Sequence, residues 1–159
     1  MPTEHRVDEI DRKIIAELSR NGRLSVRRLA ELVHISRTNA HNRLVALLDA
    51  QVITGFSAQV DRKALGLNVT ALVIAKIGDV PWPDVSARLA ALPFVEKVQA
   101  VSGDIDVMLT VSAPDNRHLS DTILRRIHEV PGVESTRSLL ILEEIPGQAP
   151  GTAADEWPR

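Results

Sequence analysis

The residues with most chemistry to offer sit close together. Within ISRTNAHNRLVALL (residues 35–48), Arg37, Thr38, His41, Asn42 and Arg43 bring guanidinium, hydroxyl, imidazole and amide groups onto about two turns of a helix pattern. Such groups suit a DNA duplex: an Asn amide contacts adenine with both its ends, Thr meets a thymine methyl or a phosphate, and Arg reaches the backbone or a guanine edge. The same residues also suit the solvated side of an amphipathic helix, so their meaning depends on their surroundings. A second group, Ser102-Gly103-Asp104-Ile105-Asp106, sets two carboxylates beside a glycine. Gly103 and Asp104 are what a tight turn needs. Asp106 is different: it falls on the outward face of an otherwise apolar strand, where burial by assembly would demand a partner.

Other chemistries are excluded or poorly supported. The chain has no Cys, so disulfides and thiolate zinc sites are impossible, and its 5 His are scattered. His34 and His41 would share a face only on one continuous helix, and Ser36 starts a new one between them. No nucleophile–base pair, phosphate loop or metal set is present, so neither catalytic residues nor a cofactor are expected. The N-terminus is charged, and the longest largely apolar run, Val69–Ala75, is far short of the roughly 20 residues a bilayer requires, which predicts a cytosolic protein. Residues 1–66 hold 11 Lys/Arg against 8 Asp/Glu, net +3, whereas residues 67–159 are net −5. A polyanion is therefore expected to meet the first part of the chain.

Three short helix patterns fill that first part. Asp8, with Asp11 three residues on, precedes the Ile10/Ile14/Leu18 periodicity, and Asn21-Gly22 stops it. Ser25 opens a second helix ending near His34. Ser36 opens a third, whose Ala40, Leu44, Leu47 and Leu48 follow the i, i+4, i+7, i+8 spacing of one buried face. The short link between the last two predicts a helix-turn-helix. Val52, Ile53, Phe56 and Val60 around Gly55 predict a strand or small wing, and 61–68 a hinge.

Beyond the hinge, strand and helix patterns alternate. Strands are predicted at Val69–Ile77, Val95–Val101, Ile105–Ser112 and Val133–Ile145, with helices at Pro83–Leu92 and Asp115–Glu129, giving the βαββαβ order of a ferredoxin-like domain. Ile105, Val107, Leu109 and Val111 should face the helices. Met108, Leu140 and Leu142 are expected on or near the open face, which a second copy would cover. Phe56 and Phe94 are expected in the core, and Trp82 as a packing residue at a helix start. Residues 146–159, rich in Pro, Gly and Ala, are expected to form a loose tail.

The expected architecture is thus α+β: a winged helix-turn-helix over 1–60, then a βαββαβ domain over 69–145. With VDEIDRKIIAELSRNGRLSVRRLAELVHISRT, VITGFSAQVDRKALG, VSGDIDVMLTV and PGVESTRSLLILEEI in this order, the sequence resembles the leucine-responsive/asparagine (Lrp/AsnC, feast/famine) family of transcription factors over about residues 7–145. The resemblance implies a DNA-binding first domain, a second domain that dimerises through its sheet, and higher assemblies, often four dimers in a ring. It also implies a small effector, usually an amino acid, bound between dimers near the loop before the third strand. Here that loop is Ser102–Asp106, with Asp106 suited to the ammonium and the amides around Gly103 to the carboxylate. Thr136 and Ser138 stand where relatives often offer hydroxyls, or are plain strand positions.

At about 100° per residue, the outer face of the third helix is Thr38, Asn42, Val45, Ala46 and Asp49. Where the family tends to carry Arg and Lys in the second half of this helix, Ala46 and Leu47 stand, and Asp49 would repel phosphate. Insertion is therefore expected to be shallow and N-terminal. The candidate DNA-contacting set is Arg23, Arg27, Arg28, Ser36, Arg37, Thr38, His41, Asn42 and Arg43, with Arg37 and Asn42 leading and Arg23, Arg27 and Arg28 as a phosphate clamp. DNA binding implies a cytoplasmic, nucleoid-associated place. Two rivals remain: an enzyme like the sirohaem decarboxylases, which share the two-domain layout, and a metabolite sensor with weakened DNA affinity. Against the enzyme, the chain has no Tyr, and His118 and His128 lie ten residues apart.

Overall fold

A computed structural model describes residues 6–145 and Gly147; the expected tail is otherwise outside the described residues. The chain forms two compact units, one built on its first 58 residues and the other spanning Gln59–Glu144. The expected hinge, 61–68, thus counts with the second unit.

The first unit is three helices: α1 (Glu9–Arg20), α2 (Val26–Val33) and α3 (Arg37–Asp49). Each begins on a side chain that accepts an otherwise orphaned amide. Asp8 accepts from the Asp11 N–H and Asp11 returns the favour to the Asp8 N–H, a capping box. Ser25 Oγ accepts from Arg28 N and Ser36 Oγ from Asn39 N, each at 3.2 Å. His34 ends α2 in the left-handed region at φ 60°, and Ile35 N donates to Ala30 O at 3.0 Å, closing the helix end tightly enough for α3 to start two residues later. Ile14, Leu18, Leu29, Val33 and Leu47 form the core between the helices.

The wing differs from expectation. After α3, Val52 N and Ile53 N both donate to Leu47 O, and residues 54–60 form no strand among the described residues. A strand needs an edge to pair with, and this unit has only helices. Phe56 is correspondingly 53% exposed rather than in the core. Its ring lies over the turn after α1, so close that a Cβ on Gly22 would come within 3.1 Å of it.

The second unit runs β1 (Val69–Ile77), α4 (Trp82–Ala90), β2 (Val95–Ala100), β3 (Val107–Ala113), α5 (Asn116–Asp121) continuing as a π-helical turn over Thr122–Ile127, and β4 (Val133–Ile141). The strands form one antiparallel sheet in the order β2-β3-β1-β4. Ala71, Val73 and Ala75 stand opposite Val111, Leu109 and Val107, and all six are buried with Val85, Leu89, Leu119, Ile123 and Ile127 from the helices. Phe94, half-buried, packs against this core, as does Trp82.

Three sheet expectations are corrected. Ile105 precedes β3 and is only half-buried, because the chain is still turning there. Leu140 pairs with Ala71, so it points to the helix-covered side; it is 52% exposed because β4 is the edge strand. The open face instead carries Leu72, Ile74, Met108 and Leu139. Finally, β4 ends at Ile141, and Leu142 lies beyond it. Within the 61–68 segment, Arg62 donates to both Glu96 oxygens and to Glu144, at 2.9–3.0 Å, which ties it to the second unit.

Candidate nucleic-acid interface and effector loop

On α3, Ala40 and Leu47 are fully buried, which turns Thr38, Asn39, Asn42, Val45 and Asp49 outward. Arg37, Thr38, His41 and Asn42 are exposed as anticipated. Among the described residues the Arg37 side chain has no hydrogen bond or ion pair, so its guanidinium is available. Arg23 is likewise exposed, in the turn that Asn21 Oδ1 stabilises by accepting from Arg23 N. Ser36 is at the start of α3, but its hydroxyl oxygen is engaged as the cap. The cap leaves its O–H free to donate.

Arg43 does not belong with the freely available cations. Its Nη1 donates to Asp8 Oδ2 at 2.7 Å and to Asp11 Oδ1 at 2.8 Å, and its Nε donates to Asn39 Oδ1 at 3.2 Å. Asp11 is 1% exposed, so releasing Arg43 to a phosphate would take a cation away from a buried carboxylate. Burial pushes the Asp8 carboxyl up, but the Asp11 amide and Arg43 outweigh it and hold Asp8 below the ordinary carboxylate value. The two aspartates in turn keep the Arg43 guanidinium firmly protonated. The spacing puts Arg43 in neither the buried nor the outer set of α3, and no local signal shows that α1 approaches it.

Arg27 and Arg28 are a different case. Both pair with Glu31, at 3.2 and 3.1 Å, and hold its carboxyl below the ordinary value, Arg28 contributing first. All three side chains are largely exposed, and ion pairs so open to water and salt contribute little. A phosphate can therefore take over either arginine at small cost, whereas drawing Arg43 away would break its bonds to Asp8 and Asp11.

In the second unit, Ser102, Gly103 and Asp104 are exposed on the β2–β3 connection, with Gly103 at φ 126° where other residues are strained. Asp106 is half-buried just before β3. Its N–H donates to Ala75 O at 3.2 Å, and its Oδ2 accepts from Ile77 N at 3.0 Å. The carboxylate thus already has one partner inside the fold, fixing it at the end of β1. Thr136 and Ser138 pair with Ala75 and Val73 on β4, which puts Thr136 beside the same end of β1. Both point to the helix-covered side at the sheet edge, Ser138 exposed and Thr136 half-buried. Asp106 therefore meets the end of β1 from the β3 side and Thr136 from the β4 side, with Ala75 between them and Ser138 further along β4.

Asn39 was not among the residues singled out by the sequence; its i, i+4 spacing to Arg43 was the signal available. Among the described residues, no group of three or more His, Asp or Glu is placed to hold a metal ion, and no helix is long and apolar enough to cross a membrane.

Comparison with known proteins follows the same division. Residues 7–48 match the AsnC-type helix-turn-helix domain, and residues 70–148 match the Lrp/AsnC ligand binding domain. The HTH-type transcriptional regulator Rv2324 of Mycobacterium tuberculosis is 33% identical over 146 residues, covering 91% of this chain and 98% of that relative. Among solved structures, the transcriptional regulator NMB0573 of Neisseria meningitidis in complex with L-methionine is 27% identical, with a TM-score of 0.83 over 90% of this chain and 94% of that one. The feast or famine regulatory protein Rv3291c of M. tuberculosis, complexed with L-methionine, is 30% identical with a TM-score of 0.82 over 89% and 96%.

Proposed function

The chain belongs to the Lrp/AsnC family of transcriptional regulators, and from that premise we propose that it reads double-stranded DNA with the N-terminal turns of α3 and answers to an amino acid held in its second unit. The observation that carries the first part is the exposed face Arg37, Thr38, His41 and Asn42 on a helix whose other face is sealed into the core. Asn42 meets an adenine, Arg37 a guanine edge or phosphate, and Thr38 a thymine methyl. Arg23, Arg27 and Arg28 supply phosphate contacts that orient α3 without reading sequence.

For the effector, the support is the L-methionine in two structural relatives together with the fixed carboxylate of Asp106. Asp106 takes the ammonium, the amides around Gly103 take the carboxylate, and Ser102, Asp104, Thr136 and Ser138 border the site. The apolar groups of the open sheet face, exposed Leu139 and partly exposed Leu72, Ile74 and Met108, support a homodimer, and dimers joining into a larger assembly, four in a ring, hold the effector between them. The affinity for DNA then comes from several subunits acting together, because each copy offers few cations. Binding the effector shifts assembly and so the spacing of the DNA-reading helices. The target locates the protein at the nucleoid, and no catalysis is assigned to it.

The test is a competition at moderate salt between the duplex upstream of the protein's own coding sequence and a random duplex of equal length. Preference for the upstream duplex is the expected result. Equal affinity for both would sink the DNA-reading proposal and favour the metabolite sensor with weakened DNA affinity.

A further inference from the structure

The Arg43 cluster settles the orientation of a neighbouring amide. A guanidinium carries only donors, so the Asn39 atom facing Arg43 Nε at 3.2 Å is the carbonyl oxygen, an assignment the chemistry forces. The guanidinium cannot swing away to release that oxygen, since its Nη1 is held by Asp8 and by buried Asp11. Asn39 is exposed in the first turn of α3, with its backbone N–H capped by Ser36. Three residues before Asn42, it lies about 60° from it around the helix axis, on the same outward side.

We infer that Asn39 is a further base-reading residue whose amide Arg43 presses into one orientation, amino group outward, so that it selects a hydrogen-bond acceptor on the DNA. An unrestrained Asn uses both ends of its amide on adenine, one to accept from N6 and one to donate to N7. Asn39 has its oxygen turned inward, with one of its two acceptor positions taken by Arg43. Its outward Nδ2 is matched by a purine N7, guanine O6 or thymine O4, and not by the cytosine amino group. Arg43 is then a positioning residue: it contributes to specificity through Asn39 and not through a phosphate. The inference rests on α3 being the DNA-facing helix, and the experiment separates the two.

The full-length protein selects its preferred sequence from a random duplex library. The affinities of wild type, Asn39→Ala, Asn39→Asp, Asn42→Ala and Arg43→Lys are then measured on that duplex and on its single-base-pair variants, each across a salt series. Asn39→Ala is expected to weaken binding about 5- to 50-fold and to erase discrimination at one base pair, with the thermal midpoint unmoved. Asn39→Asp keeps the shape but turns the donor into an acceptor, and should lose at least as much. Arg43→Lys keeps the charge beside Asp11 but lacks Nε; it should relax the same base pair while leaving the salt slope of binding unchanged. If Asn39→Ala weakens all sequences equally, Asn39 touches a phosphate and the inference is overturned. It is overturned too if Asn39→Ala binds as wild type does while Asn42→Ala loses its preference. If neither variant alters any base pair, the placement of α3 on DNA fails and the inference falls with it.

Discussion

Arg43 and Asp11 are 32 residues apart in the chain, and the guanidinium Nη1 of one lies 2.8 Å from the carboxylate Oδ1 of the other. The pair joins the last helix of the first unit to the first turn of its first helix. Arg43 is 25% exposed and Asp11 only 2% at its side chain, so the link is shielded from water and salt far better than the surface pairs around it.

Removing the cation should therefore be costly. Arg43→Met is expected to lower the stability of the helical unit by about 2–4 kcal/mol, because it removes the bonds to Asp8 and to the buried Asp11 carboxylate. Urea unfolding followed by circular dichroism measures it, and a loss under about 0.5 kcal/mol would mean Asp11 is solvated.

The same cluster gives a pH dependence of definite sign. Asp8 has a folded-state pKa below its ordinary value of 3.8, so its contribution is fully present above that value and disappears as pH falls through the folded one. The thermal midpoint should stay level from about pH 7 to 5 and drop below about pH 4, less steeply in Asp8→Asn than in wild type. Identical acid limbs in the two proteins would remove Asp8 from the account.

Burial on α3 separates two neighbours. Leu47 is fully buried, so Leu47→Ala should cost about 2–5 kcal/mol. Val45, 39% exposed on the outer face, should tolerate Ala within about 0.5 kcal/mol. The reverse ranking in chemical denaturation would mean that the helix is rotated.

Salt dependence distinguishes the clamp from the readers. Arg27→Gln with Arg28→Gln should reduce the slope of log affinity against log salt by about 2 per subunit bound and weaken all duplexes alike. An unchanged slope in a fluorescence-anisotropy titration would show that neither guanidinium leaves Glu31.

The effector site is probed by a substitution that keeps the fold's own hydrogen bond. Asp106→Asn retains an oxygen to accept from Ile77 N, 3.0 Å away in the native protein, but loses the charge offered to an ammonium. It should melt as wild type does without ligand and show no stabilisation by millimolar L-methionine or the other amino acids that stabilise the parent. Stabilisation equal to the parent's would exclude Asp106 from the ligand's contacts.

Local signals in the sequence were enough for the helices, the succession of strands along the chain and the caps. Asp8, Ser25 and Ser36 each act within three residues of themselves, and the periodicities of Ala40/Leu44/Leu47 and Val107/Leu109/Val111 report directly which side is buried. The outward set Arg37, Thr38, His41 and Asn42 followed from the same geometry. What sequence could not supply was anything depending on pairing between distant segments. Leu140 and Leu139 differ by one residue, and only the register against Ala71 and Leu72 decides which of them faces the open side. Val52–Val60 has the composition of a strand but no edge to pair with. Arg43 looked like one more cation on a DNA-facing helix until tertiary packing brought Asp8 and Asp11 against it. A charge's role is set by the nearest opposite charge and by its access to water, and for Arg43 the fold fixes both.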